Sequence, residues 1–160
     1  MLNITAKQDT MRTIVDILTV LVEEAKFNFN EEILEVRAVD PSHVAMIHME
    51  VDASAFEAWD SEECSIGFEL VKLRDLISLA GAEDLIEMQY EERDGRLNIQ
   101  VGEIKRTIRP LDRAALLEPR VPDVPLTSRV TLSGVKFSRA LRAAKQVGDL
   151  VTLSLNPQSF

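Results

Sequence analysis

One cysteine, Cys64, stands in 160 residues. An intrachain disulfide is therefore impossible, and a cysteine-based metal cage cannot be assembled. Long apolar runs are missing too. Nothing approaches the roughly 20 uninterrupted apolar residues that a membrane helix needs, and Met1-Leu2-Asn3-Ile4 reads as a strand rather than a secretory leader. There is no Gly-rich phosphate loop, no HExxH and no GxSxG, and Cys64 has no histidine near it in sequence, so the familiar enzyme signatures are absent. Acidic pairs such as Glu23-Glu24, Glu62-Glu63 and Glu91-Glu92 are adjacent, so they project apart on helix or strand and read as solvated ends rather than a metal or acid–base pair. Cations are in the minority: 18 Lys and Arg against 27 Asp and Glu leave a formal net charge of −9. That balance argues against indiscriminate nucleic-acid binding by the whole surface but leaves room for a local basic face.

What the chain does contain is a repeat. A strand–helix–strand pattern occurs three times: Asp84-Leu85-Ile86-Glu87-Met88 matches Asp149-Leu150-Val151-Thr152-Leu153, with Leu76 and Leu141 eight residues before each Asp. Lys26-Phe27-Asn28-Phe29, after a helix holding Ile14, Ile17, Leu18 and Leu21, is a fainter first copy. Repetition of one supersecondary unit implies stacking, each copy burying a face it could not bury alone.

The first two copies read as an α+β domain, helices laid on antiparallel sheet. A strand is predicted over 2–6, followed by a helix capped by Asp9 and running to about Glu24, with Met11, Ile14, Val15, Leu18 and Leu21 at three- and four-residue spacing. Strands over 26–30 and 33–39 form a hairpin, Asp40-Pro41-Ser42 is a turn, and 44–51 is another strand. Residues 52–63 read as irregular with a short helical turn. A strand over 64–70 leads into a helix over 71–80 that stops at Gly81. Strands over 85–91 and 96–101 flank Asp94-Gly95, a good hairpin signal. The strand over 104–111 reads as an edge open to another chain.

From 112 to 128 the texture changes. Pro119, Pro122 and Pro125 resist helix and central strand alike, so this stretch reads as an extended connector. Beyond it a strand over 129–133, a helix over 135–147 and a strand over 150–155 are predicted. Phe137, Ala140, Leu141 and Ala144 give that helix an apolar face, while Lys136, Arg139, Arg142 and Lys145 step around its other side. No helical carboxylate opposes them, so they meet either water or an external anion.

Together, the N-terminal strand and helix, Asp40-Pro41-Ser42-His43-Val44, Phe68-Glu69-Leu70 entering a short helix, Leu111-Asp112 opening the connector, and Ser133-Gly134 before the basic helix resemble the sliding clamp family known as proliferating cell nuclear antigen. The proline-bearing connector and acidic balance are similar to archaeal members. The resemblance implies a DNA clamp fold of duplicated βαβββ units, with an N-terminal domain over 1–111, a connector over 112–128 and the start of a second domain over 129–160. It also implies a homotrimeric ring, helices lining its hole, and a non-catalytic processivity role in the cytoplasm, associated with the nucleoid, with no cofactor, no metal and no membrane.

By the same resemblance, Arg12, Arg139 and Arg142 match positions facing duplex DNA, with Lys136, Lys145 and Arg74 as additions. Asp75 and Ser78 depart from relatives that carry lysines nearby. Phosphate contacts of this kind are independent of sequence and sensitive to salt, as sliding requires. The implied partners are peptides from DNA polymerase, clamp loader, ligase and nuclease, docking against Val39, His43 and Val44 at the turn and Leu116, Leu117 and Val121 on the connector. A turn histidine such as His43 ordinarily satisfies a local backbone group, and His48 carries only that reading. The competing class is a small acidic adaptor that never touches DNA. Family members have two complete domains, so the ring is an expectation for an intact parent, and this chain alone is expected to expose unpaired sheet edge.

Overall fold

The computed structural model describes residues 1–81, 83–116 and 118–154. Its residues fall into two compact units, 1–122 and 123–160. Leu117 and the last residue of the strand expected over 150–155 lie outside the described residues.

In the first unit, β1 (Leu2–Lys7) leads into α1 (Gln8–Thr19), then β2 (Glu24–Phe29), β3 (Ile33–Val39) and β4 (Met46–Asp52). A single 3-10 turn, Ala53–Ala55, precedes β5 (Ala58–Ser61). The plan then repeats as β6 (Cys64–Glu69), α2 (Leu70–Ile77), β7 (Leu85–Glu91), β8 (Arg96–Val101) and β9 (Ile104–Ile108). The expected duplication of βαβββ is thus present, but the copies are interlocked. One sheet runs β5-β1-β7-β8-β9 and the other β4-β3-β2-β6, so each copy lends its first strand to the other's sheet. Leu2 faces Tyr90 and Lys7 faces Leu85 across β1–β7, while Glu24 faces Glu69 across β2–β6.

Alternation explains the strands. Leu34, Val36 and Ala38 of β3 are buried between half-exposed neighbours, as are Leu97, Ile99 and Val101 of β8, which is the signature of one face on a core and one in water. The helices pack on each other, α1 with Met11, Ile14, Val15 and Leu18 inward and α2 with Leu70, Leu73 and Ile77. Phe27 and Phe68, from the strands joined by the second exchange, meet at the centre with ring centroids 4.8 Å apart.

Several boundaries depart from expectation. Lys7 occupies the N-cap position of α1 without a side-chain bond, and Asp9 lies within the first turn, its charge near the positive end of the helix. The helix stops at Thr19 rather than near Glu24, because β2 begins pairing at Glu24 and the Glu23 carbonyl accepts from the Leu70 amide. The strand expected from Val44 starts at Met46; the two preceding amides are taken by Asp40. Residues 58–61, read as irregular, form β5, which pairs with β1 from Leu2–Ser61 to Thr5–Ala58. The edge strand β9 ends at Ile108, since Pro110 has no amide to continue a ladder.

In the second unit, α3 (Gly134–Ala144) forms as expected, though three residues shorter at its C-terminus. Residues 129–133 and 150–154, expected as strands, form no ladder among the described residues. A strand exists through its partner, and neither run finds one there. They still flank the helix: Phe137, Ala140, Leu141 and Ala144 face Leu132, Val151 and Leu153 across a cleft of about 400 Å³.

Beyond β9 the first unit is closed by Leu111, which forms an antiparallel bridge to Gly67 in β6, its amide 2.9 Å from the Gly67 carbonyl. A Cβ on Gly67 would lie 2.7 Å from Leu116 Cδ1 and 2.9 Å from both Leu111 Cβ and the Leu111 carbonyl oxygen. Leu116 can swing aside; the Leu111 backbone cannot without breaking its bridge. Gly67→Ala is therefore expected to destabilise the chain by about 1–3 kcal/mol in urea denaturation, with faster amide exchange at Leu111 as the local readout.

Candidate nucleic-acid interface and peptide groove

The residues expected to face DNA lie on the water-facing sides of three helices. Arg12 is exposed on α1, but Asp16, one turn on, holds its Nε at 3.4 Å. Arg74 is exposed near the end of α2 and makes no ion pair among the described residues, although Asp75 is its neighbour in sequence. Lys72, which the sequence reading passed over, is paired with Glu69 at 2.7 Å. The helical face of the first unit is thus close to neutral. On α3 the situation differs. Lys136, Arg139 and Arg142, with Lys145 at the C-cap position, are all exposed. None makes an ion pair among the described residues, and α3 contains no acid. Four uncompensated positive charges on one small helix are a ready anion surface.

The second site begins at the turn between β3 and β4. Asp40 builds it: one carboxylate oxygen accepts from the Val44 and Ala45 amides at 2.7 Å each, the other from Ser42 at 3.0 Å. The amide of Ala45 above all, with those of Val44 and Ser42, holds the Asp40 carboxyl below its ordinary range despite some opposing desolvation. This wrapping forces His43 into the left-handed region at φ 56°, a conformation that costs most residues energy. The side-chain hydrogen bonds made by Asp40 fix the turn that presents His43.

That turn borders an open groove of about 820 Å³ whose walls include Val39, His43, Ala115 and Leu116. Three of the residues expected to dock peptides are therefore brought together. Val44, 86% exposed, and Val121, 47% exposed, lie outside the groove lining, and Leu117 is outside the described residues. Three groups were missed: the loop Val20-Leu21-Val22 left where α1 ends early, Lys26 and Arg37 on the outward faces of β2 and β3, and Glu118. Lys26 Nζ lies 2.7 Å and Arg37 Nη1 3.7 Å from the Glu118 carboxylate, and Asn28 Nδ2 donates to it at 3.0 Å. These contacts tie the start of the connector to the sheet. The outward cations on adjacent strands were a visible signal; their acidic partner, some 80 to 90 residues on in sequence, was not. Cys64, by contrast, is buried in β6, and desolvation pushes its thiol up, away from the reactive thiolate.

Interlocked βαβββ copies with paired helices on a shared core define the DNA clamp fold. The first 110 residues match the family model for the N-terminal domain of proliferating cell nuclear antigen, and the chain belongs to that family. It is 37% identical over 161 residues to the "DNA polymerase sliding clamp" of Methanothrix thermoacetophila, an alignment covering 100% of this chain and 66% of the relative. The protein of the same name from Methanosarcina barkeri is 36% identical, covering 95% and 62%. Among solved structures, A. fulgidus PCNA with the C-terminal region of FEN-1 bound superposes with a TM-score of 0.87 at 28% identity, over 93% of this chain and 61% of that one. PCNA from Thermococcus kodakaraensis gives 0.81 at 25%, over 93% and 62%. The chain thus spans a little under two thirds of the length of these relatives.

Asp40 carries a pH signature. Because its folded value is lowered, its support for the turn is present above the ordinary carboxyl range and is lost as pH falls through the depressed value. The Val44 and Ala45 amide resonances are expected to titrate together with a midpoint below 3.8, the value of an unperturbed Asp. In Asp40→Ala both are expected to exchange rapidly at neutral pH.

Proposed function

We propose that this chain supplies the first domain (1–111), the connector (112–128) and the opening of the second domain (129–160) of a homotrimeric DNA sliding clamp. The assembled ring encircles duplex DNA without reading its sequence and tethers replication and repair enzymes, polymerase, ligase, nuclease and clamp loader among them. The role is non-catalytic and belongs to the cytoplasm, at the nucleoid. The observation that carries this reading is α3, whose Lys136, Arg139, Arg142 and Lys145 are exposed and make no ion pair among the described residues, on a chain of net charge −9. A surface adaptor has no use for such a concentration of one sign, whereas phosphate neutralisation does. Arg12 and Arg74 contribute less, the first being shared with Asp16. The groove at Val39, His43 and Leu116 is the docking site, with Val44 beside it on the turn and Val121 on the connector as further contacts; the FEN-1 segment bound to the A. fulgidus relative supports a nuclease peptide as one occupant.

The test is duplex binding by a version extended to the full length of its relatives, followed by fluorescence anisotropy across a salt series. Each phosphate neutralised is expected to contribute about −0.9 to the slope of log K against log salt. The double variant Arg139→Ala/Arg142→Ala is expected to flatten that slope by up to about 2 per subunit, roughly 5 for the trimer, and to weaken all sequences alike. Absence of salt-sensitive binding in the extended protein would favour the adaptor reading. Light scattering on the same extended protein is expected to give a trimer.

A further inference from the structure

On the outward face of the β3–β4 hairpin, next to Arg37 of the groove wall, three ligand-bearing side chains that have been given no role converge. Glu35 projects from β3, and His48 and Glu50, two residues apart on β4, project from the same side. One ligand atom from each of the three lies within 4.8 Å of the others. His48 Nε2 is 2.8 Å from Glu35 Oε1 and 3.4 Å from Glu50 Oε1. Since ionised carboxylates only accept, Nε2 carries the ring hydrogen in this arrangement, and that hydrogen points where two acidic oxygens meet.

We propose that Glu35, His48 and Glu50 form a surface binding site for a divalent late first-row transition ion, which takes the position of the hydrogen while the ring hydrogen moves to Nδ1. Tetrahedral coordination by N and O donors near 2.0–2.1 Å places donor atoms about 3.3 Å apart. The His48–Glu50 spacing already meets this, and the His48–Glu35 spacing opens to it by about half an ångström, a small torsional change on half-exposed side chains. An imidazole with two carboxylates suits Zn²⁺ or Ni²⁺ rather than Mg²⁺ or Ca²⁺, which take oxygen donors and more of them. The site is built on two hydrogen-bonded strands, with Glu35 directly opposite Glu50 and Arg37 opposite His48, so its ligands are held on rigid elements. Glu35 already accepts hydrogen bonds from Arg37 and His48, which hold its carboxylate in place. Arg37, whose Nε donates to Glu35 Oε1 at 2.8 Å, is the competing cation. It limits the affinity and sets this apart from a structural metal site whose ion is needed for folding. Glu118 also reaches Arg37 from the connector.

The probe is Zn²⁺ titrated calorimetrically into the whole chain in a non-chelating buffer, with Co²⁺ absorption reporting coordination. One ion per chain is expected, with affinity better than about millimolar. His48→Ala and Glu50→Gln are each expected to weaken binding by about tenfold or more while leaving the thermal melt of the metal-free chain unchanged, since both side chains lie on the outer face of an edge strand. Binding that survives His48→Ala undiminished, a Glu50→Gln variant that matches the wild type, or no binding below about millimolar Zn²⁺ would each overturn the site.

Discussion

The exchange of first strands between the two βαβββ copies is the constraint on which the rest of the first unit depends. Neither copy can complete its sheet alone: β1 is seated between β5 and β7, and β6 pairs along β2. Antiparallel pairing in both cases fixes the register, and a slip of one residue would turn Leu2, Ile4 and Ala6 out of the core. With the strands so committed, the helices that follow them are brought against each other, and their polar sides are left on one common surface. The Phe27–Phe68 contact lies across the second exchange and fills the space between the copies.

The same commitment shapes the groove. Because β2 must start at Glu24 to pair with β6, α1 is cut short, and Val20, Leu21 and Val22 become a loop facing the Asp40 turn. Because β9 ends at Ile108, just before Pro110, the chain is free to cross over Gly67 and carry Leu116 and Glu118 towards the other wall. The groove is thus a by-product of two early terminations, one of a helix and one of a strand. Its polar fastening by Lys26, Asn28 and Arg37 suits a segment that has little regular structure of its own.

Much of this was legible in residue order. The alternation in β3, β7 and β8 gave those strands to the residue, because one buried and one wet face leave a period of two that no helix shares. The basic face of α3 could be projected from spacing alone. What escaped were features decided at long range. β5 is only four residues long and is a strand through its pairing with β1, about 55 residues earlier. The runs beside α3 look like strands by composition yet have no ladder among the described residues, since composition cannot supply a partner. Asp9 had the chemistry of a cap, but the register of β1 set the helix start two residues earlier. The outer-face cluster of Glu35, His48 and Glu50 was invisible because its members are spread over two strands and become neighbours only through the hairpin register.

The exchanged strands also bear on how the chain is born. β1 is made first, but its partners come late: β5 begins at Ala58 and β7 at Leu85. While the ribosome is still producing the intervening segments, the N-terminal strand has no sheet to join and must remain open or be shielded. Pairings so distant along the chain slow folding, so the interlocking that makes the finished unit a single body delays its assembly until β7, which begins at Leu85, has been made.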